Sequence, residues 1–202
     1  QPRSRGLGDV YKRQDNEFPD RYSVYLEQHG IGLPDEAYYR EEQHAQVLAA
    51  YREHVGRQSL ASGLVDAEED AAGFAQRVVD LEQRIAALHW DAVATRDAVK
   101  SFTPWTRAEL LAATEGLHLD AWAEALGLPE AGLERVIARQ HTFLSGLPAL
   151  VEGPEAADAA TWRDWLAWRV VSSRAPYGPA AVVEENFGFF GRTLTGAPQM
   201  RD

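Results

Sequence analysis

Histidine is the residue type best suited to bind a metal or carry a proton at neutral pH, and the chain has six: His29, His44, His54, His89, His118 and His141. No two stand four apart. The motif H-E-x-x-H, which sets two zinc ligands and a general base on one helical face, is therefore absent. Two Glu-x-x-His pairs occur, Glu41 with His44 and Glu115 with His118. Two such pairs plus two further Glu residues build a di-iron site inside a four-helix bundle. The pattern is short, however, and arises by chance in an acidic chain. Gly116 and Leu117 fall inside the second pair where a helix is ending, and Glu41 and His44 lie off the apolar stripe of Val47 and Tyr51. Both pairs read as solvated surface.

Other chemistries lack their residues too. There is no G-x-S-x-G elbow for a serine nucleophile and no glycine-rich phosphate loop. The chain has no cysteine, which removes disulfides and every thiolate site. Trp162, Trp165 and Trp168 have the chemistry of a sugar or peptide platform, but aromatics at helical spacing read first as core. Arg96 and Asp97 read as an ion pair fixing a helix end. The residues taken by themselves identify no catalytic, cofactor-binding or metal-binding position.

The elements that would position any site are mainly helical. Tyr22, Val24 and Leu26 alternate with polar neighbours, the period of a half-buried strand, and the apolar return at Ile31 and Leu33 after Gly30 suggests a short β-hairpin or extended arm. Pro34 and Asp35 open a helical stretch in which Val47, Leu48, Tyr51 and Val55 share a face. Asp66 and Glu69 have the spacing of a capping box. Beyond them Phe74, Val78, Leu81, Ile85 and Leu88 form one stripe, with Glu82, Gln83 and Arg84 expected on the wet side. After a loop at Ser101 to Pro104, Thr106 with Glu109 caps a short helix ended by Gly116. Asp120 caps another ended by Gly127, and Pro129 opens a third holding Leu133, Val136 and Ile137. Trp162, Trp165, Leu166 and Arg169 share a face, 153–160 reads as a surface loop, and a last helix runs through Val182, Val183, Asn186, Phe187 and Phe190. The fold class expected is a mainly α, irregular multi-helix domain with that small β arm near its N-terminus.

Composition bounds the partners. A net charge of -11, spread along 202 residues, is unsuited to a phosphate backbone, so no nucleic-acid partner is expected. No run approaches the roughly 18 apolar residues of a membrane span, and no secretory signal opens the chain. A soluble protein, cytoplasmic or exported, is expected.

Residues 1–14 differ from the rest. Arg3, Arg5, Lys12 and Arg13 stand against Asp9 alone, and the tail Asp9-Val10-Tyr11-Lys12-Arg13-Gln14 resembles a translated sequencing adapter. They are read as a non-native scar, with 15–202 as native sequence whose true start is missing, because the only methionine is Met200.

Three segments, in order, carry a resemblance. The first is Tyr25-Leu26-Glu27-Gln28-His29-Gly30-Ile31-Gly32-Leu33-Pro34-Asp35-Glu36-Ala37-Tyr38-Tyr39. The second runs from Leu81-Glu82 through His89-Trp90 to Thr95-Arg96-Asp97. The third joins Trp165-Leu166-Ala167-Trp168-Arg169 with Glu185-Asn186-Phe187-Gly188-Phe189-Phe190-Gly191-Arg192-Thr193-Leu194-Thr195-Gly196. Together they resemble the N-terminal helical domain of the neprilysin and endothelin-converting-enzyme family of zinc metalloendopeptidases, in its bacterial branch. The resemblance implies a parent that cleaves peptides and encloses its active site between two lobes. It further implies zinc held in a catalytic lobe outside this chain, and a cap lobe here that limits substrate size and is inactive alone. The alternative is a stand-alone helical binding module. A cap without its partner lobe should expose apolar faces such as that of Trp162 and Trp165.

Overall fold

The structure is a computed structural model that describes residues 8–18, 20, 22–128 and 130–200. It is mainly helical, and its described residues divide into two compact units. One lies within Gln1–Gly30 and Ile85–Ala156, the other within Ile31–Arg84 and Ala157–Asp202.

The first unit is built on a four-stranded sheet of β1 (Gly8–Gln14), β2 (Tyr22–Gln28), β3 (Thr103–Thr106) and β4 (Arg135–Ala138), in the order β1-β2-β4-β3. β1 and β2 form the expected hairpin, but on the other side from that read in the sequence. Gly8 stands opposite Gln28 and Gln14 opposite Tyr22, and the return at Ile31 and Leu33 is not a strand. Burial along β2 does not alternate, because Ser23, Val24, Tyr25 and Leu26 are all buried. β4 explains why: it pairs parallel with β2 and antiparallel with β3, so β2 is interior rather than an arm.

Two expectations fail here. Val136 and Ile137 belong to a strand rather than a helix, and the supposed loop at Ser101 to Pro104 runs into strand β3. A short apolar run of β-branched residues does not separate a buried strand from a buried helix, and Val136, Ile137 and Ala138 are wholly buried. Pro104 is tolerated because β3 is an edge strand paired only with β4. Pro129, the expected helix start, lies outside the described residues.

Thr106 ends β3 and caps α4 (Arg107–Ala113) with a complete capping box, its hydroxyl accepting from Glu109 N while Glu109 accepts from Thr106 N. In α5 (Leu119–Ala125), Asp120 is not the cap. His118 holds that position, in the left-handed region at φ 49°, and Asp120 sits in the first turn, paired with Arg107 at 2.7 Å. α6 (His141–Glu152) buries Phe143, Leu144, Leu147 and Leu150.

The second unit is helical. It holds α1 (Ala37–Arg40), a 3-10 turn at Glu42–His44, α2 (Ala45–Ala61), α3 up to Arg84 (the whole helix is Glu68–Ala86), α7 (Ala159–Arg174) and α8 (Ala180–Asn186). α8 continues into a π-helix at Phe187–Thr193. The stripe of α3 is as read at Phe74, Val78, Leu81 and Ile85, no more than 3 % exposed, but the helix begins at Glu68, two residues beyond Asp66, and ends at Ala86, so Leu88 falls in the turn that follows. On α7 the buried residues are Trp165, Trp168 and Arg169, whereas Leu166 is exposed. Trp165 is therefore core, and the exposed face expected of Trp162 and Trp165 is absent. The exposed large apolar residues of this unit are Leu166, Val170, Tyr177 and Met200. No described helix is long and apolar enough to cross a membrane.

Candidate functional site

The densest polar chemistry lies in the second unit, around Glu82. Placed on the wet side by its position beside Gln83 and Arg84, it is wholly buried instead. Burying an ionised carboxylate demands partners, and four elements supply them. Tyr39 of α1 donates its hydroxyl to Glu82 Oε2 at 2.6 Å, and Gly32 N donates to the same oxygen at 3.1 Å. Tyr51 of α2 donates to Oε1 at 3.3 Å. The Arg169 guanidinium of α7 stands 3.9 Å from Oε1 and donates to Ile31 O at 2.9 Å.

The outer bonds lock the same turn. Tyr39 Oη accepts from both Gly32 N and Leu33 N at 3.0 Å, and Trp168 Nε1 donates to Tyr51 Oη at 3.1 Å. A Cβ on Gly32 would overlap the Tyr51 hydroxyl and lie 2.6 Å from Cζ of that ring. Glycine is required there for close approach, and Gly30, at φ 107°, is required for its backbone. Glu82 thus ties the Ile31–Leu33 turn to α1, α2, α3 and α7.

Electrostatics in the cluster are set first by burial. It pushes the Glu82 carboxyl above its ordinary range, against the pull of Arg169 and the hydrogen bonds from Tyr39, Gly32 and Tyr51. Burial and the adjacent carboxylate likewise push the Tyr39 and Tyr51 hydroxyls far up, so both remain proton donors. A carboxylate committed to four protein partners is poorly placed to take a proton from a substrate. The arrangement is a structural clamp.

The other sequence candidates are dispersed. His44 stacks on Tyr38 with centroids 4.2 Å apart, and Glu41 pairs with Arg40 at 3.1 Å. His118 is exposed and 3.9 Å from Glu152. His54 is buried, with Nδ1 3.0 Å from Glu185 Oε1. His89 Nε2 lies 3.1 Å from His29 O. His29 Nδ1 accepts from Gly30 N at 2.7 Å, and His141 sets its ring against the Trp90 edge. A zinc site needs three or four converging N, O or S donors, and among the described residues no group of three or more His, Cys, Asp or Glu side chains is arranged to hold a metal. Zinc does not fit this donor set, and no catalytic step runs through it here. Asp97 serves backbone: its Oδ1 accepts from Val99 N and Lys100 N at 3.0 and 3.1 Å.

Two of the three resembling segments also have local physical reasons in the first unit. The end of β2 and the His89-Trp90 stretch hold each other through Gln28, whose Nε2 donates to Trp90 O at 2.9 Å and whose Oε1 accepts from Trp90 N at 2.7 Å. Gln140 Oε1 accepts from Gln28 N at 3.0 Å.

A family model described as peptidase family M13 matches residues 3–202. The chain is 41 % identical to zinc metalloprotease Zmp1 of Mycobacterium tuberculosis in its open state, with a TM-score of 0.89 over 98 % of this chain and 30 % of that one. Against the same protein in complex with an inhibitor, identity is 40 % and the TM-score 0.90, over 98 % and 29 % of the two chains. PepO of Lactobacillus rhamnosis, at 19 % identity, shares the fold, with a TM-score of 0.77 over 98 % of this chain and 30 % of that one. The chain thus spans about 30 % of the length of these relatives.

Proposed function

The chain belongs to peptidase family M13, and from that premise we propose that it is part of a zinc-dependent metalloendopeptidase in which it forms the helical cap over the active-site chamber. The cap limits the size of the peptides that enter. Zinc and the glutamate that activates water belong, in this reading, to a catalytic lobe outside these residues, which is the cap's partner within the same protein. The chain alone is inactive.

One observation carries the proposal. Nearly the whole chain, 98 %, aligns with less than a third of Zmp1, a zinc metalloprotease by name, while the sequence contains no H-E-x-x-H. Residues 15–202 are read as the native part of this lobe and residues 1–14 as foreign, on the strength of their basic composition and adapter-like tail. The family match from residue 3 and the pairing of Gly8–Gln14 with β2 favour native sequence instead, and the source DNA decides between the two.

The experiment compares two proteins on a quenched fluorescent peptide. The 202-residue chain, with or without added zinc, is expected to show no hydrolysis. The product of the longer reading frame, recovered from the source DNA, is expected to hydrolyse the peptide and to lose that activity to a chelator. Zinc-dependent cleavage by the 202-residue chain overturns the division of labour. A longer frame that encodes no H-E-x-x-H overturns the peptidase reading and leaves a helical binding module. The same DNA shows whether codons 1–14 belong to the gene.

A further inference from the structure

Near the Glu82 clamp, but separate from its bonds, α2 carries a second buried polar group. His54 and Gln58 stand one helical turn apart, and both are fully buried. His54 lies in an aromatic box. Its ring stacks on Phe189 of the π-helix at 4.8 Å and 12°, and meets Phe190 and Trp168 edge-on at 5.3 and 5.7 Å. Its Nδ1 is 3.0 Å from Glu185 Oε1, which also accepts from Arg57 Nε at 3.0 Å.

The state of the imidazole follows from these contacts. Burial disfavours its charged form more than the Glu185 carboxylate restores it, so His54 is neutral at neutral pH. Glu185 is held ionised, since the bonds from His54 and Arg57 outweigh its own burial. An ionised carboxylate only accepts, so the single imidazole proton sits on Nδ1. Nε2 is then a bare acceptor. It makes no hydrogen bond to the protein, and neither does Gln58 Oε1 or Nε2.

Three unpaired buried atoms on one turn of one helix are costly, because each has lost its water without gaining a partner. Side chains four residues apart have Cβ atoms about 5–6 Å apart, close to the span of one molecule making two hydrogen bonds of about 2.8 Å. We propose that His54 and Gln58 form a binding site for one internal water molecule, which donates to His54 Nε2 and pairs with the Gln58 amide beneath the π-helix. The atoms that would bond it are neutral and fully buried, which suits a small uncharged molecule. The aromatic rings close the site on the π-helix side, and the polar groups that face the molecule are neutral. Internal waters commonly make two to four such bonds. The π-helix contributes the cover: by widening its turn it brings two successive residues, Phe189 and Phe190, against one ring.

A crystal structure of the 202-residue chain at about 1.5 Å resolution tests this directly. One solvent peak is expected within about 2.6–3.2 Å of both His54 Nε2 and a Gln58 amide atom. A dry site, or a Gln58 amide bonded to another protein group, overturns the proposal. Gln58→Met, close in shape but apolar, gives a test of sign. If water bridges the pair, the substitution strands Nε2 and lowers Tm by about 2–6 °C. A rise in Tm shows an amide that was merely unsatisfied and overturns the proposal. Should that variant fail to fold, the solvent peak in the unsubstituted chain decides, and an Nε2–H tautomer in nitrogen NMR independently overturns the proposal.

Discussion

Removal of the Glu82 carboxylate should be among the most damaging single changes in the second unit. Glu82→Ala leaves the Tyr39 hydroxyl without the acceptor it meets at 2.6 Å, removes one of the two acceptors of Gly32 N, and takes the Glu82 carboxylate away from the guanidinium of Arg169, which is 7 % exposed. Bonds to a charged group are worth about 1.5–3 kcal/mol each, and breaking a buried pair from one side costs about 3–5 kcal/mol. A loss of about 3–5 kcal/mol is expected in urea unfolding followed by far-ultraviolet circular dichroism at pH 7. Glu82→Gln keeps an acceptor for Tyr39 and Gly32 and should lose only about 1–2 kcal/mol. Arg169→Met should be intermediate, because a carboxyl without its cation can take up a proton, whereas a guanidinium cannot lose one. Its sign with pH follows. Burial already raises the folded-state pKa of Glu82 above 4.5, and loss of Arg169 raises it further. The folded state of that variant is therefore most favoured below about pH 4.5 and loses stability as pH rises through the folded value. The Arg169→Met deficit should accordingly shrink between pH 7 and pH 5. A Glu82→Ala variant within about 1 kcal/mol of the unsubstituted chain, or an Arg169→Met deficit unchanged with pH, refutes the clamp.

Three further outcomes are expected. Gly32→Ala forces a methyl onto the Tyr51 hydroxyl and should cost about 1–3 kcal/mol in the same urea titration; Tyr51→Phe in that background should recover part of the loss, and an additive result would count against the overlap. Thr106→Ala removes the α4 capping box and should cost about 1 kcal/mol, with hydrogen exchange accelerated first at the amides of Arg107 to Leu110. In the first unit, burial alone would raise Asp15, but Ser23 Oγ at 2.5 Å, Glu17 N and the Arg135 guanidinium hold its pKa at about 2, down from 3.8. A lowered folded-state value means stability that is fully present above pH 3.8 and is lost as pH falls through about 2, amounting to about 2 kcal/mol; Asp15→Asn should flatten the acid limb of a Tm-against-pH profile over that window.

What was legible in the sequence followed the strength of the local signal. α3 was readable because its apolar stripe repeats over several turns, and α4 because Thr106 and Glu109 supply both halves of a capping box. β4 was not, since four residues with every side chain buried or half-buried show no period at all. Its neighbours are set by distant chain, Leu26 opposite Ala138 in parallel, and no local pattern announces a partner so remote. The hairpin's partner strand is hidden for a related reason. Alternation at Tyr22, Val24 and Leu26 suggested one covered face, whereas pairing on both edges and cover on both faces make β2 interior.

The clamp was hidden by the rule that made α3 easy to read. A helical wheel puts Glu82 beside Gln83 and Arg84 because it scores side chains by polarity, and polarity alone does not distinguish a solvated carboxylate from one whose partners come from elsewhere. The partners were nonetheless present in the segments that carry the family resemblance: Gly32 and Tyr39 in the first, Glu82 in the second, Trp168 and Arg169 in the third. Glu82 draws a bond from Gly32 and Tyr39, faces Arg169, and reaches Trp168 through Tyr51. Those segments are therefore coupled in this chain by one buried ion pair and its hydrogen bonds. A buried pair of this kind is weak evidence for stability and better evidence for a fixed arrangement, since an apolar replacement often supports a fold equally well. In the proposed cap, the arrangement fixed is that of the Ile31–Leu33 turn on four helices. Glu82→Leu combined with Arg169→Met separates the two roles. If the pair serves position, that double variant remains folded while amide exchange at Gly32 and Leu33 quickens; slow exchange there, equal to that of the unsubstituted chain, assigns the turn to packing instead.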